Sequence, residues 1–236
     1  MKPFQFKQFT IQQDKTAMKV GTDGVLLGAW ANLDFNPNSI LDIGAGTGLI
    51  ALMMAQRSNA ETIDAIELND AAYEQTVENF ENSDWADRLF CYHASLAEFT
   101  DEIDEKYDFI ISNPPFYTST YKELSEERAM ARHAESLTYT DLLESTSKLL
   151  SENGYCAFII PFEEEVDFLK IVAENQLYPN RITRVRGAIN TAIKRSLLQL
   201  SFLKTETIFS ELTLELSRHN YTEEYKSLVQ DFYLKL

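Results

Sequence analysis

The chain has 236 residues, 44% of them apolar, and carries 37 acidic against 21 basic side chains for a formal net charge of −16. That apolar content supports the buried core of one large domain, while no apolar run is long enough to cross a bilayer and no signal or lipidation motif is present, so a cytoplasmic protein is expected; it is expected to be a monomer. The acidic balance argues against a uniformly basic nucleic-acid binder. The charge is uneven, however: residues 34–175 hold 29 acids against 8 bases, whereas 176–205 hold no acid and six bases, Arg181, Arg184, Arg186, Lys194, Arg195 and Lys204. Such asymmetry suggests a polyanionic partner, and a merely solvated basic face explains it equally well.

In chain order, Thr22-Asp23-Gly24 ahead of "VLLGAWA" reads as a capped helix start. After the turn cluster "NPNS" (36–39) come a buried strand "SILDIGA" (39–45) and a helix (48–58). A strand (62–68), a helix (70–83) and further strands at 88–94 and 107–113 follow. The amphipathic stretch 137–151 reads as a helix, 154–161 as a strand and 162–176 as a helix. Strands near 181–187 and 196–203 come next, with "ENG" (152–154) and "YPN" (178–180) marking joints. "TIFSELTLEL" (207–216) alternates like an exposed strand, and "TEEYKSLVQDFYLKL" (222–236) opens on a partial capping box of a terminal helix. Apolar runs alternating with amphipathic helices predict an α/β fold, a mostly parallel sheet with helices on both faces. Cys91 and Cys156 sit in apolar runs and match no metal spacing, so buried free thiols and no metal site are expected.

The first strand runs into Asp42-Ile43-Gly44-Ala45-Gly46-Thr47-Gly48 and then a helix. Glycines there permit positive φ and close approach of a ligand to backbone N–H groups. The second strand ends on Glu67, placed to accept the hydroxyls of a ribose. A dinucleotide site wants a third glycine where Leu49 stands, and Asp42 repels a pyrophosphate but attracts an ammonium group. A ligand with a ribose and an amino-acid tail fits better, namely S-adenosylmethionine.

The run D-I-G-A-G-T-G, the acidic end of the second strand and N-P-P-F after the fourth resemble the class I S-adenosylmethionine-dependent methyltransferases. The resemblance implies a Rossmann-like, seven-stranded sheet whose last strand is antiparallel. It implies that Gly44, Gly46 and Gly48 pass near the homocysteine part, Asp42 orients its amino group and Glu67 holds the ribose. Many relatives carry an acidic residue after the third strand. This chain offers Ser95, a weaker contact for the cofactor's adenine.

Ligands of doubly wound sheets sit outside the strands' C-terminal ends, which puts Asn113 beside the cofactor's methyl group. The Asn113 side-chain oxygen and the Pro114 carbonyl can accept both hydrogens of a conjugated amine, aiming its lone pair at that methyl. Phe116 stacks on the acceptor's flat face, and Tyr117 adjoins it. Adenine, guanine, cytosine and a glutamine amide are all acceptors this corner admits.

The N-terminal stretch 6–31, "RHAESLTYTDLL" (132–143), "KRSLLQLSFLK" (194–204) and the C-terminal ending together resemble the bacterial family that methylates adenine N6 in valine tRNA. What this implies is a flipped adenine 37, next to the anticodon, in the Asn113–Phe116 pocket. The tRNA backbone is then tracked by Lys7, Lys19, Arg132, Arg184, Arg186, Lys194 and Arg195. Residues 1–33 form an extension over the cleft, 34–204 the Rossmann-like core and 205–236 a C-terminal strand and helix of a single domain. The alternatives are guanine N2 methylation of ribosomal RNA, glutamine N5 methylation of a protein, and a binding module without catalysis.

Overall fold

A computed structural model of the chain describes residues 2–16, 18–115 and 137–235. In chain order the elements are β1 (Phe4–Gln5), β2 (Thr10–Ile11), α1 (Thr22–Trp30), β3 (Ser39–Ile43), α2 (Leu49–Arg57), β4 (Thr62–Glu67), α3 (Asp70–Glu81) and β5 (Leu89–His93). They continue with α4 (Leu96–Glu102), β6 (Tyr107–Ser112), α5 (Tyr139–Leu149), β7 (Leu150–Pro161), α6 (Glu165–Glu174), β8 (Tyr178–Ala188), β9 (Ile193–Ser201), β10 (Ile208–Ser217), β11 (Asn220–Tyr221) and α7 (Glu223–Val229).

One large sheet runs β11-β10-β8-β9-β7-β6-β3-β4-β5. Among the described residues it has nine strands where seven are expected. The seven from β5 to β8 include β9, antiparallel to both β7 and β8, and the excess comes from the C-terminal segment. There β10 pairs parallel with β8 and β11 pairs antiparallel with β10. The alternation of 207–216 thus marks a strand added to the main sheet.

Successive strand residues feed opposite faces, which is why the strands read as continuous apolar runs. Ile40, Ile63, Phe109, Ile111, Ala157 and Ile159 pack with α1, α2 and α7. Leu41, Ile110, Phe158, Ile160 and Leu198 pack with α4, α5 and α6 on the other face. Phe6, Phe9 and Ile11 share the first cluster with Phe232, so both ends of the chain are tied into one core.

Two of the expected joints lie inside strands. "ENG" and "YPN" fall at register shifts, between Tyr107 and Phe109 along the β6–β7 pair and between Pro179 and Arg181 in β8. A Cβ on Gly154 would stand 2.9 Å from the Asp108 carbonyl oxygen, so this glycine marks close approach of two backbones at a bulge. The start of α1 also differs: the N-cap is Gly21, which has no side chain to cap with, and Asp23, one residue inside the helix, binds Arg195 at 2.7 Å. Cys91 is half-buried and Cys156 buried, both free; burial pushes the Cys91 thiol up to about 12.

Gly48, the N-cap of α2, has φ 75°, and a Cβ on it would lie 2.6 Å from the Phe80 ring and 3.1 Å from Thr76. Left-handed strain and overpacking act together there. Gly48→Ala is expected to lower the unfolding free energy by about 2–4 kcal/mol, seen as a lower urea midpoint with an unchanged slope.

Candidate active site

The C-terminal ends of β3, β4, β5 and β6 stand side by side, with Asp42 level with Ala65 and Ile111, and Glu67 level with His93. The chain leaves β3 through three left-handed glycines, Gly44 (φ 75°), Gly46 (φ 62°) and Gly48. Gly44 and Ala45 donate their N–H groups to the Ile66 carbonyl, at 2.9 and 3.0 Å. Glu67 clasps the same turn: one carboxylate oxygen accepts from Gly46 N–H and the other from Asn69 N–H, each at 2.8 Å. Each oxygen keeps a lone pair for a further donor. A Cβ on Gly44 or Gly46 would meet nothing within 4 Å, so the turn's outer side is open to a ligand. Gly48 faces Phe80 and serves packing.

Asp42 is 1% exposed. Its Oδ2 accepts from Ala51 N–H at 3.0 Å, whereas Oδ1 is buried with no partner. Burial raises its carboxyl to about 7. Asn113 follows the last residue of β6, and its Oδ1 is likewise buried without a partner. Ser112 beside it donates to the Ile43 carbonyl at 2.7 Å, locking the end of β6 to β3. Gln56, Asp64, Thr146 and Asn180 also have unpartnered buried oxygens, but none of them ends a strand at this edge. Two orphan acceptors beside an open glycine turn call for donors from a ligand. An ammonium suits Asp42, ribose hydroxyls suit Glu67, and S-adenosylmethionine carries both.

Ser95 caps α4: its hydroxyl accepts from Glu98 N–H and donates to the Glu98 carboxylate, at 3.2 and 2.7 Å. Phe116, Tyr117 and Arg132 lie outside the described residues. The basic residues named from sequence are mostly engaged. Arg184 forks onto the buried Glu165, Arg186 pairs with Glu211 and Arg195 with Asp23. Lys7 and Lys19 donate to main-chain carbonyls of Gln230, Gln13 and Thr16. Lys194 is exposed at the start of β9.

Sequence reading misses a polar row on α3. Gln75, Thr76 and Asn79 are fully or almost fully buried, with Ala72 and Phe80, along one helical stripe. Thr76 donates to the Gly46 carbonyl at 3.0 Å. The Asn79 amide donates to the carbonyls of Thr47 (2.8 Å) and Gln12 (2.9 Å) and accepts from Gln12 N–H (2.8 Å). The row joins the glycine turn to the N-terminal segment. Its trace in the sequence is polar residues at the core-facing spacing of a helix.

Seven core strands, parallel but for the reversed β9, with a glycine turn after the first and a proline-ended fourth, define a class I S-adenosylmethionine-dependent methyltransferase. The fold agrees: a crystal structure described as a predicted O-methyltransferase from Agrobacterium tumefaciens superposes with TM-score 0.68, at 19% identity, over 89% of this chain and 96% of that one. A ribosomal protein L11 methylase from Lactobacillus delbrueckii gives 0.52, at 19% identity, over 75% and 76%. The family model "Methyltransferase small domain" matches residues 21–156. Among sequence relatives, the tRNA1(Val) (adenine(37)-N6)-methyltransferase of Christiangramia forsetii is 64% identical over 99% of this chain and 98% of its own. The proteins of the same name from Flavobacterium johnsoniae and Trichodesmium erythraeum are 56% and 43% identical, each over at least 98% of both chains. The chain belongs to the tRNA1(Val) (adenine(37)-N6)-methyltransferase family.

Because Asp42's carboxyl is raised, it is protonated below about pH 7 and attracts an ammonium only once ionised. S-adenosylhomocysteine affinity is therefore expected to rise as pH rises from 6 to 8, with proton release on binding in calorimetry. Asp42→Asn should bind more weakly and lose that dependence. A pH-independent affinity in the parent protein contradicts this role for Asp42.

Proposed function

We propose that the protein transfers a methyl group from S-adenosylmethionine to N6 of adenine 37 in valine tRNA. The observation that carries it is the buried, unpartnered Oδ1 of Asn113 at the end of β6, in a chain whose full-length relatives bear that activity in their name. When bound, S-adenosylmethionine supplies an electrophilic methyl on a sulfonium. The chain's part is alignment.

The exocyclic nitrogen of adenine is a weak nucleophile because its lone pair is delocalised into the ring. Asn113 Oδ1 accepts one of its hydrogens and the Pro114 carbonyl the other, so the lone pair is freed from the ring plane. Pro114 has no N–H and a fixed φ, which holds its carbonyl at this corner. Phe116 stacks on the base and Tyr117 lies next to it. Such positioning can supply several kcal/mol of the barrier. Asp42, Gly44, Gly46 and Glu67 hold the cofactor, with Gly48 shaping the turn and Ser95 at the adenine end.

Residues 1–33 cover the cleft, held there by the polar row of α3. Lys194 and Arg132 meet the RNA backbone, while Arg184, Arg186 and Arg195 add charge already balanced by acids, and Lys7 and Lys19 brace the N-terminal segment. The protein acts as a monomer in the cytoplasm, the compartment that a tRNA substrate favours.

Asn113→Ala is expected to abolish methyl transfer to unmodified valine tRNA while leaving S-adenosylhomocysteine affinity within about twofold, since it removes a contact to the amine alone. Near-normal turnover rules out this arrangement. Nucleoside analysis finding N2-methylguanosine, or labelled glutamine in a protein, assigns the site to another amine.

A further inference from the structure

At the far side of the same edge lies a cavity of about 570 Å³ that the reaction above does not use. It is walled by Phe4 of β1, Tyr221 of β11, Tyr225 of α7 and Tyr233, with Glu215 and Gly187 at the ends of β10 and β8. Phe4 meets Tyr233 edge-on at 6.1 Å, and Tyr221 leans on Tyr225 at 5.2 Å. Tyr225 is buried and Tyr221 and Tyr233 are half-buried, so much of the lining is aromatic ring. Glu215 is half-buried, and one of its oxygens accepts from His219 N–H at 3.2 Å. The other carboxylate oxygen has capacity for a donor.

β8 and β10 run parallel to each other and, like β6 and β7, antiparallel to β9 or in register with strands that are. Their C-terminal ends therefore share the edge that carries Asn113. The separation is three to four strand spacings, about 15–20 Å, a span that a single-stranded loop covers in a few nucleotides. Exposed Lys194, on the hairpin side, and exposed Lys235 stand at this end of the sheet.

Aromatic faces with one carboxylate suit either a flat base bearing N–H groups or a quaternary ammonium. The volume lies in the range of sites for whole small molecules, and the lysines suit phosphates. The observations favour the base. We propose that this cavity binds a second, splayed-out nucleobase of the RNA whose adenine enters the Asn113 corner. Its ring stacks on the tyrosines and its N–H edge meets Glu215. The proposal rests on the RNA reading above.

The test uses the full chain and a valine tRNA anticodon stem–loop, with a set of RNAs each lacking one loop base other than adenine 37. A Cβ on Gly187 would meet nothing within 4 Å, so Gly187→Trp fills the cavity with little strain, and Tyr221→Ala removes a wall without filling it. Binding is read by fluorescence polarisation, with S-adenosylhomocysteine affinity as the folding control. One missing base should weaken wild-type binding about tenfold, the scale of one base–aromatic stack. Either variant should weaken the intact RNA similarly, and the two losses should not add.

The proposal is overturned if no missing base matters to the wild type, if the losses add, or if both variants bind RNA normally. A tetramethylammonium response of tyrosine fluorescence that Gly187→Trp abolishes, with RNA affinity unchanged, overturns it in favour of a cation site. Methyl transfer to adenine 37 of the intact stem–loop stands in all those cases and keeps the proposed function separate. Its absence in the wild type fails that reading and removes this one with it.

Discussion

The left-handed turn between β3 and α2 is the constraint on which the site depends. A chain leaving a buried central strand must reverse and present helix N–H groups toward the strand it has just left. Gly44, Gly46 and Gly48 supply positive φ at alternate positions, where a side chain would cost about 1–2 kcal/mol each. The turn is then clasped from outside its own segment. Glu67 accepts from Gly46 N–H, Thr76 donates to the Gly46 carbonyl, and Asn79 donates to that of Thr47. The peptide groups of a tight loop are thus satisfied without filling its open side.

The groups left unsatisfied are more telling. Asp42 Oδ1 and Asn113 Oδ1 are buried oxygens with no donor, and each such group costs on the order of 1–3 kcal/mol. Stability alone does not favour keeping them. A ligand that brings an ammonium to one and an amine to the other recovers that cost on binding. Ser112, tied to the Ile43 carbonyl, holds the two strand ends together. Asn113 is thereby set against the same frame that carries the glycine turn.

Local signals in the sequence are legible where a residue type has one strong physical consequence. Three spaced glycines, a terminal Glu67 and Asn-Pro-Pro after an apolar run each mark the end of a strand, and the strands stand where those marks put them. Glycine and proline are ambiguous where they permit a bulge as readily as a turn, so "ENG" and "YPN" read as joints although both lie within strands. Long-range pairing is the least legible. Arg195 meets Asp23 across 172 positions and Arg184 meets Glu165 across 19. Nothing in a basic run tells which of its members the fold has already neutralised. The polar row of α3 was hidden differently, because Gln75, Thr76 and Asn79 look like solvent-facing residues until their spacing is set against Ala72 and Phe80.

Those ion pairs change how a chain of net charge −16 can hold a polyanion. Arg184, Arg186 and Arg195 stand beside carboxylates that cancel most of their field at the distances over which phosphates are steered. Charge that is already paired releases few counterions on binding, so phosphate contacts alone make a weak, shallowly salt-dependent complex. The acidic balance of the chain works against a polyanion at long range. Affinity must then come from contacts that an acidic surround does not weaken, namely aromatic stacking and hydrogen bonds to base edges. The unpartnered Asn113 Oδ1 is free to accept a hydrogen bond of that kind. A protein of this charge gains selectivity from the arrangement, since an RNA that cannot turn its bases outward gains little to offset the repulsion.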